Sequence, residues 1–195
     1  YSGISNLGYG QELTSPASEI GLGDHYISVR VRDSLNNVET ATTSITVFNN
    51  SFISAGDWLS GSAVTKTHAT GVVDYDYPIQ GLNYGAGTGL EALIRMSVDV
   101  IPTTEEPTAG MEWMEFDINI SKIIPDNIPR ESIAIRQLVD YEQADWDPLT
   151  GGNYFQLIDN HTVRVHLLEN MDLLITGVLP PPDINLSNPE ITLLP

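Results

Sequence analysis

Hydrophobic and polar residues alternate along much of this chain with a period of two, the pattern of strands that bury one face. From Tyr26 to Arg32, Ile27, Val29 and Val31 alternate with Ser28, Arg30 and Arg32. The next five residues, Asp33 to Asn37, predict a turn, because Asn and Asp tolerate left-handed backbone geometry. Val38 to Phe48 is rich in Thr and Val and assigns Ile45 and Val47 to a core. These two runs predict a terminal hairpin of a sandwich. Asn49-Asn50-Ser51 then reads as a linker. The Gly-, Ser- and Thr-rich stretch 56–89 reads as long ordered loops, with short strands at Ala63–Thr67 and Gly71–Tyr75.

Clearer strands recur downstream. Ile94, Met96, Val98 and Val100 share one face of the run Ala92–Val100. Met114, Phe116, Ile118 and Ile120 alternate with Glu115, Asp117 and Asn119. Shorter runs occupy Ile133–Val139 and Tyr154–Ile158. Val163, Val165 and Leu167 alternate with Arg164 and His166, and Leu173–Val178 is the last run before Pro180-Pro181-Pro182. Short strands separated by Gly, Pro and Asn predict an all-β protein of the sandwich type. Residues 1–48 hold about three strands, too few to close a sandwich, so they form a partial module. Residues 49–179 form a second β-sandwich-type domain. Residues 180–195 form an extended tail whose five prolines exclude a helix. Within the tail, Ile191, Leu193 and Leu194 are apolar enough to dock, either as a strand added to another domain or subunit or as part of a simple linker.

Composition narrows the function classes. Eight Lys and Arg face 26 Asp and Glu, a formal net charge of −18. Such a surface repels phosphate backbones and carries no basic stripe, which argues against nucleic-acid partners. No run approaches the roughly 20 apolar residues of a membrane helix. The absence of cysteine excludes disulfides, thiolate metal sites and cysteine nucleophiles. The acidity itself serves solubility or, where carboxylates cluster, divalent-cation binding.

The densest cluster is Asp140, Glu142, Asp145 and Asp147, four hard oxygen ligands within eight residues. Calcium is the candidate cofactor there, although Gly151 stands where an EF-hand loop needs its bidentate Glu. A solvated acidic loop is the simpler account of the same residues. Asp74 and Asp76 flank Tyr75 in a similar short motif at a strand end. Trp58, Trp113, Trp146, Tyr75, Tyr77 and Tyr84 could line a sugar-binding face or pack between sheets. Trp146, amid four acids, is the candidate exposed ring. The glycine run 85–89 lacks the Lys-Ser/Thr of a phosphate loop and precedes a strand, so it reads as a turn. His25, His68, His161 and His166 are dispersed, with no His-Glu-x-x-His pair, and no Gly-x-Ser-x-Gly elbow occurs. The spacing points to no catalytic constellation, and a non-enzymatic protein is expected.

Ser2-Gly3-Ile4 leading into Leu7-Gly8-Tyr9-Gly10, then Leu22-Gly23-Asp24-His25-Tyr26-Ile27, Val29 to Ser34 and the closing Ile45-Thr46-Val47 form one extended pattern. It resembles the Ig-like/PKD-like repeats of bacterial surface proteins, with Asn36-Asn37 in place of the usual Gly-Asn turn. The resemblance covers about a quarter of the chain and corresponds to the back half of such a module. Phe116-Asp117-Ile118-Asn119-Ile120, Ile124-Pro125, Ile128-Pro129 and Trp146 resemble the β-rich anchor-type domains near the C-termini of such proteins. The Asp/Gly-rich loop often seen there is missing. The resemblance implies an extracellular, cell-surface protein with a structural or adhesive role, as a stalk, adhesin or fibre subunit. Its expected partners are other protein subunits or further domains of a larger surface protein. Strands missing from the first module would be supplied by another chain, because exposed sheet edges are templates for pairing. The alternative is a carbohydrate-binding module, with or without calcium, whose partners are glycans.

Overall fold

Period-two alternation becomes sheet along this chain, and in its larger part a second layer covers the apolar face. The computed structural model describes residues 8–10, 14–76, 90–103, 110–124, 128–140 and 145–178. Twelve strands are defined there, with one short helical turn at Ala17–Ile20 and two 3-10 turns. Strands β1 (Gly23–Arg32) and β2 (Val38–Val47) form an antiparallel two-stranded sheet in which Ile27 lies opposite Thr43 and Val29 opposite Ala41. The turn between them follows from its residues. Asp33 accepts backbone N–H bonds from Leu35 and Asn37 at 2.8 and 2.9 Å, and Asn36 takes the left-handed φ of 66°.

The remaining strands are β3 (Asn49–Ala55), β4 (Leu59–Thr65), β5 (Ala69–Asp76), β6 (Leu90–Pro102), β7 (Met111–Asn119), β8 (Ala134–Asp140), β9 (Asp145–Pro148), β10 (Tyr154–Leu157), β11 (Thr162–Leu167) and β12 (Met171–Val178). They form two five-stranded sheets, ordered β10-β11-β7-β4-β3 and β5-β6-β12-β8-β9. One core joins them. Ile53, Met114, Phe116, Ile118, Val163 and Val165 of the first sheet are buried in the same cluster as Ile94, Met96, Val98, Leu173 and Ile175 of the second. Each such side chain contributes about 1.5–3 kcal/mol on burial, and together they hold the layers face to face. The protein is an all-β structure of the sandwich type.

The described part of the stretch that reads as long loops holds β4 and β5, and Ile45 and Val47 of β2 are half-buried and lie outside the shared core, since no second layer covers the hairpin among the described residues. Two further segments differ from the sequence-based expectation. Asn49-Asn50-Ser51 begins β3 and is not a linker, since Ser51, Ile53 and Ala55 turn inward while Asn50, Phe52 and Ser54 turn out. Asp145–Pro148 is a strand paired with β8, although its acidic composition reads as a loop. In both places pairing with a neighbouring strand overrides local propensity.

The sandwich closes tightly along one side. β3 and β5 are edge strands of different sheets, and Gly71 of β5 lies against the β3 backbone. A Cβ there would sit 2.5 Å from Cγ1 of Ile53 and 2.7 Å from the carbonyl oxygen of Phe52. Gly71→Ala should therefore destabilise the protein by about 1–3 kcal/mol in denaturant unfolding, as overpacking does. An unchanged midpoint and slope would contradict this close approach.

Candidate functional site

Two surfaces stand out, and the alternation of the strands generates both. The first is the inward-type face of the hairpin. Residues 25, 27, 29 and 31 of β1 share it with residues 39, 41, 43 and 45 of β2. It carries Ile27, Val29, Val31, Ala41 and Ile45. Ile27 and Ile45 are half-buried, whereas Val29 is 59% and Val31 62% exposed. Among the described residues the hairpin pairs with no further strand, so both outer edges present backbone donors and acceptors. The opposite face is polar, and Ser28 and Thr42 are hydrogen-bonded across it at 2.8 Å.

One polar link ties the hairpin base to the sandwich. Lys66 Nζ lies 3.2 Å from Asp24 and 3.6 Å from Glu112. The Thr46 hydroxyl donates to Asp24 at 2.6 Å, and this bond, followed by the one from Lys66, holds the Asp24 carboxyl below the ordinary aspartate range. His25 Nε2–H donates to the Gly21 carbonyl at 3.2 Å, a structural role at the start of β1.

The second surface is the outer face of the sheet β10-β11-β7-β4-β3. Tyr154, His166 and Trp113 form a ring stack across it, with centroids 4.9 Å and 5.8 Å apart and interplanar angles of 18° and 26°. Beside the stack, Arg164 grips Asp117 with two bonds of 2.8 and 3.0 Å, the bidentate geometry a planar guanidinium favours. That carboxylate is the main cause of the raised Arg164 pKa. Toward β3 the face opens into a cleft of about 480 Å³, whose lining includes Phe52, Ser54, Asp57, Ser60, Asp117 and Asn119. Lys122 Nζ bonds Asp57 at 2.9 Å. The Asn119 amide oxygen is buried without a hydrogen-bond partner.

Trp146 departs from expectation. It is only 8% exposed and packs on Leu174 with Leu138 alongside, while the Arg95 guanidinium sits 6.0 Å from its ring centroid. Pairing of β9 with β8 lays the ring on the outer surface of the sheet, so Trp146 is not the exposed ring its acidic neighbours suggest. Trp58 is also buried, against Tyr75 in an edge-to-face contact at 5.0 Å. Trp113, at 37% exposed, is the tryptophan that reaches solvent. Tyr77, Tyr84 and the glycine run 85–89 lie outside the described residues.

Of the candidate calcium ligands, Asp147 is exposed on β9, and Asp140 and Asp145 are register partners across β8 and β9. Glu142 lies outside the described residues, as do Ile191, Leu193 and Leu194 of the tail. Among the described residues no group of three or more His, Asp or Glu is placed to hold a metal ion, and no helix is long and apolar enough to cross a membrane. Phe52 and the cleft escaped sequence reasoning because the preceding Asn-Asn-Ser reads as a linker. The available signal was the alternation of Ser51, Ile53 and Ala55 with Phe52 and Ser54.

No family model matches the chain, and no curated protein or solved structure matches it.

The Asp24 link carries a pH dependence. A carboxyl held below its unfolded pKa stabilises the fold above that value and loses the contribution as pH falls through the folded one. The contribution of this link is therefore present at neutral pH and is lost in acid, below the ordinary aspartate range. In Thr46→Val the Asp24 carboxyl should titrate at higher pH than in wild type, read by NMR. Identical titration in the two proteins would contradict the assigned cause.

Proposed function

We propose that this chain is a structural or adhesive protein of a bacterial cell surface, a stalk, adhesin or fibre subunit, and that it assembles by β-strand complementation between chains. One observation carries the proposal: the hairpin β1–β2 holds an apolar face and two free edges with no covering layer among the described residues. Exposed valines side by side on an unpaired ribbon are unfavourable in water, and an isolated two-stranded hairpin is marginal at best. A strand from a second copy remedies both defects, because it extends the ladder with backbone bonds and brings apolar side chains to the face.

The proposed donor is the tail, whose sequence alternates Ile191 and Leu193 with Thr192, the pattern suited to an added strand. The extracellular setting is supported by the resemblance of residues 1–48 to surface-protein repeats. A chain without cysteine and with a net charge of −18 fits a protein held together by sheet packing in a salty medium.

Light scattering over a dilution series tests the proposal. The 195-residue chain should form dimers or longer assemblies at high concentration. Val29→Asp with Val31→Asp should shift it to monomer without changing the sandwich's unfolding transition, and removal of residues 180–195 should do the same. A wild-type chain that stays monomeric at every concentration, or assembly indifferent to both changes, would overturn it.

A further inference from the structure

We propose that the cleft on the outer face of the β10-β11-β7-β4-β3 sheet binds a neutral sugar of an oligosaccharide, with the Phe52 ring as the stacking platform. This site is separate from the hairpin and does not depend on it. Phe52 sits on the edge strand β3 with its side chain outward and 67% exposed. It contributes nothing to the core, whose β3 members are Ile53 and Ala55. Among the exposed large apolar side chains of the described residues, Phe52 is the one that lines this cleft, where a bound ring can cover it.

The chemistry of the cleft selects the ligand class. Its lining is mixed: Phe52, Trp58 and Leu59 stand beside the hydroxyls of Ser54, Ser60 and Thr162, the amide of Asn119 and the carboxylates of Asp57 and Asp117. A wholly apolar ligand would leave the polar groups desolvated without partners, which is unfavourable. An anionic ligand would meet the two carboxylates and the net charge of −18. A cation finds both carboxylates already engaged, Asp117 by Arg164 and Asp57 by Lys122. A neutral polyhydroxylated ligand remains. A pyranose offers an apolar C–H face for Phe52 and hydroxyls that both donate and accept.

The Asn119 amide is the second indication. Its oxygen is buried in the cleft wall with no hydrogen-bond partner. Buried polar atoms in folded proteins are nearly always satisfied, by protein or by an ordered water whose place a ligand hydroxyl can take. A sugar hydroxyl beside Asn119 supplies the missing donor once the amide turns toward the cleft. Asp117, gripped by Arg164, is held in a fixed orientation and presents its remaining lone pairs to further hydroxyls.

An array of immobilised neutral oligosaccharides tests this, with hexamers of β-1,4-glucose, β-1,3-glucose, β-1,4-N-acetylglucosamine, α-1,4-glucose and mannose beside sialylated and uronate glycans. The wild-type chain should bind at least one neutral hexamer, equally with and without a calcium chelator. Phe52→Ala should weaken that binding by about tenfold or more, the loss expected from removing one stacking ring, and Asn119→Ala should weaken it as well. Val29→Asp in the hairpin should leave it unchanged, which separates this site from the assembly surface. Failure to bind any neutral glycan, binding confined to acidic glycans, loss of binding with chelator, or indifference to Phe52→Ala would each overturn the proposal. Both substituted side chains lie outside the shared core, and an unchanged unfolding midpoint confirms that the variants fold.

Discussion

Met114, Phe116 and Ile118 of β7 share one core with Ile94, Met96 and Val98 of β6, and this joint burial of two apolar sheet faces is the constraint on which the rest of the sandwich depends. It fixes the register, because a slip of one residue in β7 would turn Glu115 and Asp117 inward. It also fixes what faces water. With Met114, Phe116 and Ile118 inside, Trp113, Glu115 and Asp117 must lie outside, where they meet His166 and Arg164 of β11. The cleft and the ring stack are thus the other side of the core.

The hairpin obeys the same alternation without the same coverage. Its register aligns Ile27, Val29 and Val31 on one face, as in a strand built for a core, yet Val29 and Val31 face water. The polar face is completed by ordinary means, with Ser28 bonded to Thr42 and Asp24 held by Thr46 and Lys66. Among the described residues one apolar face is thus left uncovered, while the other two sheets cover theirs. This asymmetry underlies the proposed assembly, and the mixed chemistry of the outer sheet face underlies the proposed polar ligand. The two proposed roles fall on different surfaces and can be tested separately.

Much of the fold is legible in the sequence, because strict alternation survives wherever one face is buried and the other wet. The runs around Phe116 and Val165 are of this kind, and the run around Ile27 alternates in the same way without a covering layer among the described residues. Legibility fails where a strand's character comes from its neighbour. Asp145-Trp146-Asp147-Pro148 has the composition of an acidic loop, and only the β8 ladder makes it a strand and presses Trp146 onto Leu174. Asn49 and Asn50 resemble turn residues, and only pairing with Thr65 and Val64 reveals a strand there. The cleft was illegible for a further reason. Phe52 is far in sequence from Asp117 and Asn119, and it meets them only because β3, β4 and β7 are adjacent in one sheet.

Deuterium uptake by residues 23–47, followed by mass spectrometry at low and high protein concentration, tests most directly whether another chain completes the hairpin. Completion by a partner strand predicts that uptake in these residues slows markedly as concentration rises, while uptake in β7 and β11 stays the same. Uptake in the hairpin that is identical at both concentrations would contradict the account.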